Sequence, residues 1–598
     1  MFRFPFGFEG GVGVKSYVLN FFKFCWKSHI AMPVTVLASF FSLNAFALND
    51  ASEILKQEQD IERFRNLPQS IPEPLKVEKE SREQAEQAKI YVKEFRLEGE
   101  IKEFKQEQLL ALLSEYVGKE LTFTQIQDAA KKIADFYVSN GYFLARAVIP
   151  KQEVVDGVVI IQVSEGKLDT QKPFKINGTN LRFKEARVSG HLDQAIGGKL
   201  TQPRLERGIL NINDNPGLGA SASVEAGDEP GTSRVVLDVT EGPRFDGTVT
   251  ADNFGSRYTG SHKLTGSFNL NDPFRYGDQV NLTLITVPNE AFRMEKLGYA
   301  FPIGLDGLRA GVSYTDMYFE LGKEITTNPV SLGKAQNFNL NLRYPVYRTA
   351  LTALYLGGTY DWKASYSEAS GVATSNKVVN VGNLNLTLEH TDAFLGGGFS
   401  QVQLGYTHGN LDLSKNQSNF SDDQSDAGAH TNGDYDKYSL QILRLQRGSE
   451  KLTFQFLLNA QAAGKNLDGG EKITLGGPTG IRGYPAGEGS GDNGFRFAGD
   501  AKYVLATATK IGDISGSLFY DYGRISQYDD PSRITMTTPN TFHLASWGVA
   551  LDMYATGKYS AKLGWAQAIG SNPVANNGKN SDGLSNMSRF WLMGTVNF

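Results

Sequence analysis

From about residue 245 to the C-terminus the chain alternates apolar and polar residues with a period of two. Phe338, Leu340, Leu342 and Tyr344 interleave with Asn337, Asn339, Asn341 and Arg343. Leu384, Leu386 and Leu388 interleave with Asn383, Asn385, Thr387 and Glu389. Leu452, Phe454, Phe456, Leu458 and Ala460 interleave with Thr453, Gln455, Leu457, Asn459 and Gln461. Period two marks strands, because successive side chains leave the backbone on opposite faces. One row is apolar; the other carries mostly amides, hydroxyls and charges. A soluble sandwich also alternates, but with short strands, whereas these segments run to about ten residues or more. Tight turns at 272–277, 305–307 and 556–558 alternate with longer polar loops. That rhythm belongs to a transmembrane barrel, whose sheet must close because lipid leaves no backbone group unpaired. The spacing predicts an antiparallel β-barrel of about sixteen strands over 244–598.

The pattern upstream is different. Residues 49–66 read as a helix, with Ile54, Leu55, Ile61 and Phe64 near one stripe and Asp50 or Ser52 placed to cap it. A helix this short must dock on something. Pro68, Pro72, Pro74 and the charged run 76–89 predict an extended linker over 68–89. From residue 90 the chain turns globular. A strand at 91–97, helices at 106–116 and 124–139, and strands at 145–150 and 154–163 form a β-α-α-β-β unit, 90–169. A second unit, 170–243, repeats the plan: strand 174–177, helices 182–194 and 202–212, strands 220–226 and 234–239. The ending Ile161-Gln162-Val163-Ser164-Glu165-Gly166 returns as Leu237-Asp238-Val239-Thr240-Glu241-Gly242, a separation of one domain length.

Lys15, Lys23 and Lys27 precede an apolar run, 30–43, and Ala45-Phe46-Ala47 has the small-x-small pattern of a cleavage site. This predicts an export signal over 1–47. Its apolar run is short of the ~20 residues needed to span a bilayer. The single cysteine, Cys25, falls within it, so the mature chain carries no disulfide and no cysteine nucleophile. A net charge of -5 makes no electrostatic case for nucleic acid. Glycine (64), Phe (37) and Tyr (25) are abundant while mean hydropathy is -0.31. That excludes a helical membrane protein and suits a barrel. The seven histidines are scattered, and phosphate-loop and nucleophile-elbow motifs are absent. The acidic loop holding Asp422, Asp423, Asp426, Asp434 and Asp436 lacks the spacing of a calcium loop. The expectation is no enzyme, no cofactor and no metal.

One loop stands out, 464–494, whose centre reads Leu475-Gly476-Gly477-Pro478-Thr479-Gly480-Ile481-Arg482-Gly483-Tyr484-Pro485. It is too rich in glycine for a strand and places one guanidinium at its tip. In the segment 511–525, period two sends Ile514, Gly516, Leu518, Tyr520 and Tyr522 outward. Ser515, Ser517, Phe519, Asp521 and Gly523 then face the lumen. Asp521 is an inward carboxylate with space beside it at Gly523. Arginine offers a planar fork that matches a carboxylate, which lysine does not. The loop is therefore expected to fold into the barrel, with Arg482 pairing Asp521. In the last segment Phe590, Leu592, Gly594, Val596 and the terminal Phe598 form one largely apolar row.

These residues carry resemblances. Residues 137–142 (Tyr-Val-Ser-Asn-Gly-Tyr), the two Val-x-Glu-Gly endings, and Arg204-Leu205-Glu206-Arg207 leading to 213–217 resemble polypeptide-transport-associated (POTRA) domains, which present sheet edges and grooves to unfolded clients. Ile481-Arg482-Gly483-Tyr484 and Phe519-Asp521-Gly523 resemble the paired loop and wall motifs of the outer-membrane-protein assembly superfamily, with isoleucine in place of valine. Phe598, with Val596 and Phe590, resembles the C-terminal signal of bacterial outer-membrane barrels. The whole arrangement resembles the two-partner secretion transporters, the haemolysin secretion/activation family. The resemblance implies that the helix 48–67 plugs the pore and that the barrel sits in the bacterial outer membrane with its POTRA domains in the periplasm. It implies passage of one unfolded exported client, of adhesin, cytolysin or contact-dependent toxin type, without ATP. The further partners it implies are the barrel assembly machinery and outer-membrane lipid. The alternative is an insertase of the same superfamily, which usually has more POTRA units and no plug helix.

Overall fold

The strands from residue 245 onward pair consecutively, each antiparallel to the next, and the last returns to the first. The structure, a computed structural model, describes residues 50–72, 89–178, 181–197, 200–229, 232–288, 291–323 and 329–598. The export signal expected over 1–47 and most of the linker expected over 68–89 lie outside the described residues. The strands close a 16-stranded barrel: β1 (Phe245–Asp252), β2 (Lys263–Asn271), β3 (Gln279–Thr286), β4 (Phe292–Ile303), β5 (Leu308–Glu320), β6 (Leu332–Arg348), β7 (Thr352–Ala369), β8 (Val372–Asp392), β9 (Gly398–Asp412), β10 (Gly433–Arg447), β11 (Leu452–Ala463), β12 (Asn493–Thr509), β13 (Gly512–Ser526), β14 (Thr541–Ala555), β15 (Tyr559–Ile569) and β16 (Ser588–Asn597). The seam joins β1 to β16, with Thr248 opposite Asn597 and Asp252 opposite Met593. Alternation then sorts the faces: Leu340, Leu342, Leu384 and Leu386 stand exposed on the outside, while Asn337 is buried within. Among the described residues no helix is long and apolar enough to cross a membrane; the strands do so.

In the first periplasmic unit, Glu94–Glu100 runs parallel to Val158–Ser164, and Arg146–Val148 pairs at the latter's other edge. The strand expected over 91–97 is two. The chain kinks at Lys93, where the backbone N–H groups of Lys93 and Glu94 both donate to the Gly157 carbonyl. The piece before the kink, Lys89–Val92, pairs instead with Lys119–Thr122. The helix expected over 106–116 stops at Ala111 and tightens into a 3₁₀ turn, Ser114–Tyr116. The helix Phe123–Ser139 opens on a capping box, Thr122 with Gln125, which satisfies two orphan donors at once. It buries Ile126, Ala129, Ala130, Ile133 and Tyr137.

In the second unit Phe174–Asn177 lies parallel to Thr232–Glu241, with Leu218–Ala226 antiparallel on the other side. Its helices are Glu185–Ile196 and Gln202–Asn213. The repeated glutamates do the same job. Glu165 accepts from the backbone N–H of Lys102 and Glu103 (2.8 and 2.9 Å). Glu241 accepts from the N–H of Phe183 (2.8 Å) and from Arg182. Each staples the sheet's last strand to the chain entering the first helix. Glu165 also takes the hydroxyl of Tyr137 at 2.9 Å, and burial beside that carboxylate pushes the phenol's pKa up.

The second unit is riveted to the periplasmic turns of the barrel. Arg348 grips Asp214 with both guanidinium nitrogens. Arg207 reaches Asp306 at 2.9 Å, and the Ala350 N–H donates to Glu206. His191 places Nδ1 2.7 Å from the Leu305 carbonyl. Burial holds this imidazole below its ordinary pKa, so it docks neutral. The first unit meets the second at a small joint, where the Gln202 N–H donates to the Gly141 carbonyl and Phe143 packs on the second unit's core.

Candidate functional site

The chain between β11 and β12 folds back into the lumen. Leu475, Ile481 and Tyr484, all at most 1% exposed, pack with Ile525, Phe542 and Leu544 of the wall. This apolar foot sets the tip, and the tip carries the charge. Arg482 donates from Nε to both Asp521 oxygens (3.1 and 3.0 Å) and from Nη2 to Oδ1 at 2.6 Å. Its backbone N–H donates to the same carboxylate at 2.9 Å. The far side of the guanidinium bonds Asp500 on β12, at 2.8 and 3.1 Å. The ring of Phe519 lies 3.5 Å away, face to the cation. Ser546 donates to Asp521 from β14, and Trp591 Nε1 donates to the Arg482 carbonyl from β16.

The tip fits because two neighbours are glycine. A Cβ on Gly523 would stand 2.6 Å from Leu475 Cδ2 and 3.0 Å from Ile481 Cδ1. A Cβ on Gly483 would stand 2.8 Å from the Ala568 amide nitrogen. So Ile481, Arg482, Gly483, Tyr484, Phe519, Asp521 and Gly523 meet in one place. Asp500, Ser546 and Trp591 join them unannounced. Period two alone puts Asp500 inward, but only the register of the folded sheet sets it opposite Phe519. Trp591 sits in the last strand, where attention falls on the apolar row. In that row Phe590, Val596 and Phe598 face outward, 64%, 56% and 61% exposed.

A second insert shares the lumen. The helix Ala51–Arg65, α1, stands along the wall with Asp50 as its cap, accepting from the Ser52 N–H. Ala51, Ile54 and Leu55 pack on Phe292, Met317 and Phe319. Its polar side is a ladder of ion pairs to the barrel: Glu58 to Lys263 (2.8 Å), Glu62 to Lys296 (2.7 Å) and Arg65 to Asp252 (2.5 Å). At its N-terminal, extracellular end, Lys377 of β8 binds Asp50 (2.6 Å) and Asp468 of the inward loop (2.5 Å) at once. Ser52 donates to the same Asp468. Helix and loop root therefore share one wall cation. Between the two inserts lies a cavity of about 1100 Å³, walled by Glu58, Thr250, Asn281, Asn339 and Arg482 among others. Among the described residues no carboxylate, histidine or cysteine cluster fits a metal ion.

Residues 231–553, more than half of the chain, match the haemolysin secretion/activation protein ShlB/FhaC/HecB family, and residues 90–166 match the POTRA domain, ShlB-type. The chain belongs to the haemolysin secretion/activation protein family. It is similar to the heme/hemopexin transporter protein HuxB of Haemophilus influenzae (strain 86-028NP), 26% identical over 488 residues, 81% of this chain and 83% of HuxB. It is similar to the outer membrane transporter CdiB of Dickeya dadantii (strain 3937), 22% identical over 76% of this chain and 79% of CdiB. The solved structure of CdiB from Escherichia coli has the same fold, with TM-score 0.70 at 20% identity over 92% of this chain and 99% of that one. Like the rest of this family, the chain is a two-partner secretion transporter of the outer membrane, with its POTRA region in the periplasm. The insertase alternative is set aside on the family match.

Proposed function

We propose that this transporter passes one unfolded exported protein from the periplasm to the cell surface through the lumen now filled by α1. The observation that carries the reading is the filling itself: a short helix, held by ion pairs and an apolar contact at its first turns, stands beside a cavity that reaches the Arg482 clamp. Both periplasmic units act as POTRA domains. The open edges of Arg146–Val148 and Leu218–Ala226 offer backbone groups to a client strand. The client is of adhesin, cytolysin or contact-dependent toxin type. The family match and the likeness to HuxB and CdiB support a large exported partner without choosing among these. Transport needs no nucleotide, because folding of the client outside prevents its return. The clamp of Arg482 with Asp521 and Asp500 keeps the inward loop on the wall of β12 to β16, so that α1 is the part that moves. The outward row ending in Phe598 serves recognition by the barrel assembly machinery, and then faces lipid.

The test is secretion by cells carrying the transporter with residues 89–242 deleted, beside cells lacking it altogether. Loss of one and the same surface protein from both is expected. Continued secretion by the deletion strain would remove the capture role from the periplasmic units.

A further inference from the structure

A lumen meant for water is lined by polar side chains, and most of this one is. Apolar patches interrupt it under α1 and under the inward loop, and a further one lies apart from both. Phe399 of β9 lies opposite Leu445 of β10, and Leu443 lies opposite Leu457 of β11. All four point inward on the same face as the lumenal Lys437, at the periplasmic ends of their strands. All are at most 5% exposed. What covers them is the last turn of α1, through Phe64, and the chain's own tail beyond it, through Leu67 and Ile71. Leu67 follows the helix cap Asn66, and Pro68 stands next, so this segment is no longer helical. It lies across the strip as a piece of unfolded polypeptide would. The cavity described above shares its walls with Phe64, Gln69, Ser70 and Leu457. A chain entering that cavity from the periplasm therefore arrives at the edge of the strip.

Bare apolar surface in an aqueous pore is unfavourable. The tail leaves readily only if other apolar groups take its place. We propose that the strip Phe399, Leu443, Leu445 and Leu457 is a docking site for an apolar segment of an unfolded polypeptide, and that residues 64–71 are its resting occupant. The fitting ligand is a flexible segment with aromatic or aliphatic residues three and four positions apart, as Phe64, Leu67 and Ile71 are. Docking of the client and departure of the plug are then a single exchange. This rests on the transport reading above and names the first contact of the client inside the barrel.

The experiment uses the full chain in planar bilayers. The probe is a synthetic peptide of residues 61–72, added to the periplasmic side. A control peptide carries Phe64→Asn, Leu67→Asn and Ile71→Asn. The expected result is at least a tenfold higher open probability with the first peptide than with the control, on the order of what burying one large apolar side chain is worth. A transporter carrying Leu443→Asn and Leu457→Asn should open more often at rest and ignore both peptides. Should that barrel fail to insert, Leu67→Asn with Ile71→Asn in the tail leaves the wall untouched. It should open at rest and respond to less peptide. Equal responses to the two peptides, or a tail variant as closed as the parent, would overturn the proposal. A short-chain detergent that opens the pore as well as the peptide would assign the strip to lipid-like tails and also overturn it. None of these readouts depends on the client, so the transport reading stands or falls separately, on whether a knockout loses a surface protein.

Discussion

The inward loop and the helix α1 occupy the same lumen and use the same kinds of side chain, yet they are held in opposite ways. At the loop tip one guanidinium lies between two carboxylates, with an aromatic face on it, a tryptophan on its carbonyl and an apolar foot beneath. Every nitrogen of that guanidinium has a carboxylate partner that the barrel wall supplies. Along the helix the pairs are separate lysine or arginine contacts strung over four turns; Glu58 with Lys263 is buried, whereas Glu62 and Lys296 keep 40% and 25% of their side chains exposed. The half-wet pair contributes about 0–1 kcal/mol. The loop is also anchored in the sheet at both ends, so releasing it frees little chain. The helix is joined to the barrel in sequence only by way of the two α/β units that follow it. Similar charges therefore make a weld in one insert and a latch in the other, because in the loop they converge on one point tied into the sheet at both ends, whereas in the helix they are spread out.

Arg482→Ala attacks the weld and should have the largest effect. It leaves Asp521 and Asp500 buried without their cation, at about 3–5 kcal/mol. Secretion should fall to near background while the barrel still reaches the membrane, read by surface assay of the client and by heat-modifiable mobility of the folded barrel. Normal secretion would show that the clamp is not part of the path. Asp521→Asn and Asp500→Asn divide the same contact. The first should cost more, because Asp521 also accepts from the Arg482 backbone and from Ser546; equal losses would reverse the ranking.

Lys377→Ala tests the point where weld and latch touch, since Asp50 and Asp468 both lose their wall cation. At about 2 kcal/mol the closed-to-open ratio in bilayers should drop roughly thirtyfold, with the clamp intact. Salt sharpens the contrast further. Raising ionic strength from about 0.1 to 1 M shortens screening from ~10 to ~3 Å. Opening of the wild-type pore should rise several-fold, whereas thermal unfolding of the barrel should hardly move.

The smallest effect concerns His191 at the joint of the second unit with the barrel. Burial lowers its pKa beneath the ordinary 6.5, helped by Arg187 and Arg309 and opposed by Asp214 and the Leu305 carbonyl. A lowered histidine means that the undocked state binds the proton more readily. Docking is then at full strength above about pH 6.5 and weakens as pH falls below it. Proteolysis at the joint should accelerate modestly between pH 7 and pH 5 in the wild type and stay flat in His191→Gln.

What the sequence determined by itself is whatever depends on neighbours along the chain. Period two marks a strand and says which side chains share a face, so the barrel, its strand number and the inward aim of Asp521 were all legible. The repeated Glu-Gly ending marked two similar units, and the stripe of Ile54, Leu55 and Ile61 marked a docking helix. Local kinks escaped, as at Lys93, where a carbonyl from a distant turn divides one expected strand into two. Parity tells the face but not the height along the barrel, and closure sets strands far apart in sequence side by side. Only the folded sheet therefore decided that Asp500 stands level with Arg482, that Trp591 of the last strand reaches the loop tip, and that Lys377 serves helix and loop together. Leu457 shows the division best. In sequence it is an apolar residue out of place in a polar row. In the closed barrel it joins Phe399, Leu443 and Leu445, because cross-strand register gathers one or two exceptions from each of three strands into one surface.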